Sequence, residues 1–261
     1  MLTISNIYGH GFDAQQVARL EALGFRMRPE ISHYAGSQLC RFIDFETGPA
    51  LEIIEVEDQA DYQAFVPDGM VPYCPGISLL LPDESGVTLD DYERKFRHLD
   101  PYTLHINYDG SQDTTGPGWN YLNFGTPPVA DTFIWLTALD QPRPQEQHET
   151  AHPNGVTGLA GLVFDLDVEA LKGLAHLVQG EFSGGALTID TVQVWPRNRL
   201  ADCPTPADKT FPLTTIVLKA PDLDTFAAHR DRVQACSFMA RRAIRIVSNR
   251  LSWDLMVVED R

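Results

Sequence analysis

The 261-residue chain is poor in positive charge: 20 Lys and Arg stand against 36 Asp and Glu, for a net charge of −16. A nucleic-acid backbone would be repelled by such a field, so no nucleic-acid partner is expected. Long apolar runs are also missing. No stretch reaches the roughly 18 residues that span a bilayer, so no membrane role is expected. Met1–Ser5 has neither the basic nor the apolar region of a secretion signal. Cysteine is scarce, at four residues, and Cys40, Cys74, Cys203 and Cys236 form no CxxC pair. Four reduced thiols in a cytoplasmic protein are the expectation. With 43% hydrophobic and 21% charged residues, what remains is an ordinary folded composition with no low-complexity segment.

What is present is a repeated order of elements. Asp13–Phe25 reads as a helix: Asp13 is a suitable N-cap, Val17, Leu20 and Leu23 form one stripe, and Gly24 suits the terminating left-handed position. A β-prone run, Leu2–Tyr8, precedes it. An extended stretch around Arg28–Ser32 and the runs Gln38–Phe45 and Ala50–Val56 follow. This β-α-β-β-β order recurs three times. The second copy begins at Ile77–Leu81, has a helix from Thr88 to Leu99, and continues through Thr103–Tyr108, Trp119–Phe124 and Thr132–Leu136. The third runs from Gly158–Phe164 through a helix at Asp167–Val178 to Ala186–Ile189 and Val192–Trp195, with its second strand least marked. The fourth runs from Leu213–Leu218 through a helix at Asp222–Val233 to Ser237–Arg241, Ala243–Val247 and Trp253–Val258. Helices should therefore start near residues 13, 88, 167 and 222. The proline-bearing stretch Gln141–Thr150 reads as an exposed linker, placing one domain at 1–142 and another at 152–261. The loop Pro196–Thr210 is a candidate cover for a pocket.

Four such units resemble the vicinal oxygen chelate superfamily, in its glyoxalase-like form (the glyoxalase/bleomycin resistance/extradiol dioxygenase fold). The resemblance rests on Asp13–Phe25 ending in Leu-Gly-Phe, on Gly48-Pro-Ala-Leu-Glu-Ile-Ile-Glu55, on His152-Pro-Asn-Gly-Val-Thr-Gly-Leu159 and on Lys219-Ala-Pro-Asp-Leu-Asp224. It implies an α+β fold of four βαβββ units paired into curved mixed-sheet cups. Neighbouring units could pair, or the first with the fourth and the second with the third. It also implies a small organic ligand in a cup and a divalent metal (Mg, Mn, Fe, Ni or Zn), with lyase, isomerase or dioxygenase chemistry. The alternative is metal-free binding or sequestration in the same cup. A homodimer is left open.

Carried onto this sequence, the family's fourth-strand ligand position falls on Glu52, as metal ligand or catalytic base. Matching Glu52–Asp58 with Asp254–Asp260 puts Asp254 at the counterpart position as second metal ligand. The first-strand positions offer Ile4, Ser5 and Asn6, or Leu213, Thr214 and Thr215, none of them an imidazole. Cups need apolar walls with a few polar groups, which nominates Trp119, Asn120, Trp135, Trp253 and His105 as substrate-binding residues. His148-Glu-Thr-Ala-His152 matches HExxH. Zinc hydrolysis there requires a helix, which Pro153 opposes, so the two histidines are not expected to share zinc.

Overall fold

The computed structural model describes residues 2–29, 31–34, 37–65, 75–81, 86–108, 116–128, 133–141, 148–201, 203, 215–227, 233–246 and 253–260. The first unit comprises β1 (Thr3–Phe12), α1 (Ala14–Ala22), β2 (Ser32–Tyr34), β3 (Gln38–Ile43) and β4 (Ala50–Val56). A short helix absent from the expectations, α2 (Gln59–Phe65), leads to the second unit. That unit has β5 (Pro75–Leu80), α3 (Leu89–Lys95), β6 (Pro101–Asn107), β7 (Gly118–Phe124) and β8 (Phe133–Leu139). The third has β9 (Gly158–Phe164), α4 (Val168–Val178), β10 (Glu181–Ser183), β11 (Ala186–Ile189) and β12 (Val192–Pro196). The fourth has β13 (Thr215–Ala220), α5 (Leu223–Ala227), β14 (Val233–Phe238), β15 (Arg241–Ile246) and β16 (Asp254–Glu259).

Each helix starts within a residue of its expected place because a short polar side chain meets the exposed N–H groups of its first turn. Asp13 accepts from Gln16 N–H, Thr88 and Asp91 form a reciprocal capping box, and Asp167 accepts from Ala170 N–H. Asp222 accepts from the N–H groups of Asp224 and Thr225. The first helix ends at Gly24, whose φ of +74° favours glycine. The expected helical reach to Val233 is corrected: Val233 begins β14, while 228–232 lie outside the described residues.

Neighbouring units pair. One sheet has the order β2-β3-β4-β1-β5-β8-β7-β6, the other β10-β11-β12-β9-β13-β16-β15-β14. In each, the two first strands meet antiparallel at the centre (β1 with β5, β9 with β13) and each is flanked in parallel by the fourth strand of its own unit. The central strands therefore bring the residues of two units onto one curved surface.

Alternation along the strands separates two faces. Leu51, Ile53, Ile77, Leu79, Leu122 and Leu136 face the helices and join Val17 and Leu20 in a core that continues into the second sheet through Val156, Leu159 and Trp253. The opposite, concave face of the first sheet carries Tyr8, Cys40 and Ile54, with Phe42, Phe133 and Trp135 against them.

Of the segment read as a linker, 141 and 148–150 are exposed or half-buried and 142–147 lie outside the described residues; just beyond it, His152 and Asn154 are inserted between the two halves. The Asn154 amide donates to the carbonyl of Leu23 at the end of α1 (2.9 Å), while its Oδ1 accepts from Val156 N–H (3.0 Å). His152 Nδ1 accepts from Arg26 N–H (3.0 Å), and Nε2 donates to the carbonyl of Asp44 (2.8 Å). Its ring lies edge-on between Phe25 and Phe45. Thr47 and Gly158 form a backbone bridge between the halves.

Candidate functional site

Glu52 lies on β4 with its side chain on the concave face of the first sheet, where burial pushes its carboxyl up to about 7. Hydrogen bonding from the Cys40 thiol and the more distant charge of Arg28 act in the opposite direction and only partly offset it. The Asn6 amide, from the neighbouring β1, donates to Glu52 Oε2. Arg28 itself is held in a fork by Asp44 (2.5 and 2.6 Å) and lies 4.4 Å over the Phe42 ring.

The wall beside Glu52 is aromatic. Tyr8 and Trp135 stack with centroids 4.0 Å apart, and Tyr121 meets Trp135 edge-on at 6.0 Å. Tyr8 can lie flat because β5 carries Gly76 beside it: a Cβ there would come within 1.9 Å of the ring. Trp135 Nε1 donates to Ser78 Oγ (2.9 Å), which in turn shares a hydrogen bond with Thr137 (3.1 Å). Glu52, Phe42, Tyr121 and Trp135 all keep partial solvent access. The result is a concave, aromatic surface with one carboxylate, backed by the buried hydroxyls of Ser78 and Thr137.

A buried carboxyl with a raised pKa weakens the fold when ionised. Glu52 should contribute stability below about pH 4.5, its ordinary value, and lose it as pH rises toward about 7. Partial exposure limits the loss to about 1–3 kcal/mol. Chemical denaturation of wild type and Glu52→Gln between pH 4 and 8 checks this: the variant should lose that pH dependence.

The second sheet arranges the corresponding surface differently. Val163, Trp195, Val217, Met256 and Val258 fill its concave face together with Phe238 and Ala243. Gly161 makes room for Trp195, as Gly76 does for Tyr8. Asp254 is fully buried, and its carboxylate already accepts three hydrogen bonds. Arg245 donates to both of its oxygens (3.0 and 2.5 Å), and Thr215 Oγ1 donates at 2.5 Å. A cavity of about 810 Å³ opens next to this face, between the start of α4 and a 3₁₀ turn at Arg197–Leu200. Its charged residues are engaged, Arg197 with both oxygens of Asp165 (2.7 and 2.8 Å) and Arg245 with Asp254. Of the expected covering loop, Cys203 is buried, whereas 202 and 204–214 lie outside the described residues.

The structure distributes the sequence-derived candidates over four places. Glu52 and Trp135 share the first concave face, and strand alternation puts Trp119 farther along it, against Tyr108. Asp254 lies on the other sheet, so it and Glu52 do not converge on one ion. Asn120 and His105 point to the helix side of the first sheet rather than into the cup. There His105 Nδ1 faces Asn120 Oδ1 (2.9 Å), and Nε2 faces Asn107 Oδ1 (2.8 Å) and the Gly116 carbonyl (3.1 Å). With acceptors at both nitrogens, Asn120 foremost, the imidazole is held above its usual pKa and ties a hairpin together. Trp253 is a core residue, edge-on to Phe12 and pressed against Gly9. The site residues missed were Tyr8, Arg28, Cys40, Phe42, Ser78 and Tyr121. Ser78 alone carried a signal, as the polar residue in the apolar run Ile77–Leu81.

The described side chains of neither face make a donor set for a divalent metal. Beside Glu52 the available donors are an amide, hydroxyls and a thiol whose pKa burial raises well above normal. Among the described side chains, a second charge or an imidazole, which such ions favour, is missing from that set. Asp254 is committed to Arg245 and Thr215, which neutralise and hold it. Among the described residues no three His, Cys, Asp or Glu side chains converge. The HExxH stretch has no helix over its described part, 148–153, while 145–147 lie outside the described residues. Both nitrogens of His152 are bonded to backbone.

No family model and no curated protein matches the sequence. Solved structures do. A hypothetical protein from Staphylococcus aureus aligns over 98% of this chain and 99% of its own, with a TM-score of 0.55 at 7% identity. Homoprotocatechuate 2,3-dioxygenase from Brevibacterium fuscum, in complex with 3,4-dihydroxyphenylacetate, aligns over 99% of this chain and 80% of its own (TM-score 0.55, 9% identity). For 2,2',3-trihydroxybiphenyl 1,2-dioxygenase from Sphingomonas wittichii the figures are 99% and 89%, 0.51 and 9%. At such identities the likeness is one of fold. The chain has the vicinal oxygen chelate fold. More particularly, it is an α+β protein of four βαβββ units in two curled mixed sheets, the arrangement of the glyoxalase and extradiol dioxygenase group.

Proposed function

We propose that the protein binds a small organic molecule on the concave face of its first sheet, in the cytoplasm and without a resident metal. The observation that carries this reading is the contrast between the two faces. The first is partly open and lined by Glu52, Phe42, Tyr121 and Trp135, whereas the second is packed with apolar side chains around the Arg245–Asp254 pair. An aromatic wall with one carboxylate is the composition expected of a ligand site. Asn6 fixes the carboxylate, and Trp135, locked by Ser78, supplies a flat surface for a planar or apolar body.

The test is a binding screen of small aromatic molecules followed by tryptophan fluorescence and thermal shift, with metal content measured on the same sample. Hits should perturb the tryptophan signal and weaken at least tenfold in Trp135→Ala. Hits unaffected by Trp135→Ala and Glu52→Gln would place binding elsewhere. One equivalent of metal that Glu52→Gln removes would restore the metal-assisted reading.

A further inference from the structure

We infer that the molecule held on the first concave face carries a positively charged nitrogen on an aromatic or apolar body, an organic ammonium that pairs with Glu52. The inference rests on the proposed binding role of this face and goes on to its specificity. Its first ground is the kind of partner Glu52 has. Asn6 and Cys40, which hydrogen-bond it, are both neutral donors. They orient the carboxylate without cancelling its charge. Arg28, the cation whose field reaches Glu52, is bound at close range through both oxygens of Asp44. Arg41, on the same strand as Phe42's neighbour Cys40, is paired with Glu55 at 2.7 Å. Asp254 on the other sheet shows the contrast, because there a buried arginine completes the pair within the protein.

The second ground is the wall. A cation is attracted to the face of an aromatic ring within about 6 Å. Phe42, paired across from Glu52, and farther along the same face Trp135, backed by the buried Tyr8, with Tyr121 edge-on to it, offer such surfaces, and Phe42 already holds the Arg28 guanidinium in this way. The third is the field of the whole chain: a net charge of −16 concentrates cations around it and disfavours anions. A neutral donor such as a phenol could meet Glu52 but would draw nothing from the last two features. A carboxylate ligand would oppose all three.

Binding a cation requires ionised Glu52. Its carboxyl titrates at about 7, so affinity should rise with pH across that value. Among the described residues the groups facing it are Cys40 from β3, which burial keeps neutral, Tyr8 and Asn6 from β1, and the Arg28–Asp44 pair. Benzyltrimethylammonium, whose charge is independent of pH, is the direct probe. Neopentylbenzene is its neutral isostere and phenylacetate its anionic counterpart. Calorimetric titration of the full chain should give at least tenfold tighter binding of the ammonium than of the isostere at pH 8. About tenfold should be lost between pH 8 and 6, the fall in the ionised fraction of a group titrating at about 7. Glu52→Gln should abolish both the preference and the pH dependence, with Trp135→Ala weakening all probes as an independent variant. Equal binding of ammonium and isostere, both sensitive to Trp135→Ala, would overturn the ammonium inference and leave the proposed binding face standing. Tighter binding of phenylacetate would also overturn it. Absence of binding by all three probes would count against the inference and the binding face together.

Discussion

Asp254→Asn is expected to cost about 3–5 kcal/mol of stability, because it leaves the Arg245 guanidinium buried opposite a neutral amide. Arg245 and Asp254 are 1% and 0% exposed. Water therefore cannot replace the lost charge. Replacing both partners by apolar residues of similar volume, Arg245→Met with Asp254→Leu, should recover most of the loss, since desolvation of two charges largely offsets their attraction. Urea denaturation of Arg245→Met, Asp254→Leu and the double variant, alongside Asp254→Asn, measures the coupling. A single variant within about 1 kcal/mol of wild type would mean that the pair is not the lock of the second sheet described above.

His152→Ala is expected to lose about 2–4 kcal/mol, from a cavity between Phe25 and Phe45 and from two backbone groups, Arg26 N–H and Asp44 C=O, deprived of their partner. Burial holds the imidazole below its ordinary pKa of 6.5, against the pull of the Asp44 carbonyl. The neutral ring is the one the fold uses, so its contribution is full above pH 6.5 and is lost as pH falls through the lower folded value. Guanidinium titrations at pH 8 and pH 5 should show a smaller difference between wild type and variant at the acidic value. Were the histidines zinc ligands, His148→Ala would match this loss. Here it should change stability by less than about 1 kcal/mol.

The helices were legible because their starts are written in single residues. Asp13, Thr88, Asp167 and Asp222 can each accept hydrogen bonds from the turn that follows. Strand ends depended on turn chemistry. Ser237–Arg241, expected as one strand, contains the β14–β15 turn, where Met239 and Ala240 take φ of +50° and +62°. Such turns usually advertise themselves with Asn or Gly, and this one does not. Unit pairing was illegible for another reason: β1 and β5 meet through backbone hydrogen bonds, which carry no residue code. For Glu52 and Asp254 the sequence offered two carboxylates at matching repeat positions. What separates them is the residue facing each across the sheet, the Arg245 guanidinium for one and the neutral Cys40 and Phe42 for the other. That is a tertiary fact, invisible in the spacing of either motif. His105 and Asn120 were misplaced by one residue of register, and a single step in a strand reverses the face.

The seating of residues 152–156 between the halves bears on how the molecule comes apart. Asn154 caps a helix of the first half, Trp253 of the second rests on Gly9 and Phe12 of the first, and the apolar core is continuous across both. Neither half can open without exposing surface that belongs to the other. Unfolding should accordingly proceed as one cooperative transition with a denaturant dependence set by the full chain length, and a chain severed near residue 145 should yield two pieces that recover structure only when mixed.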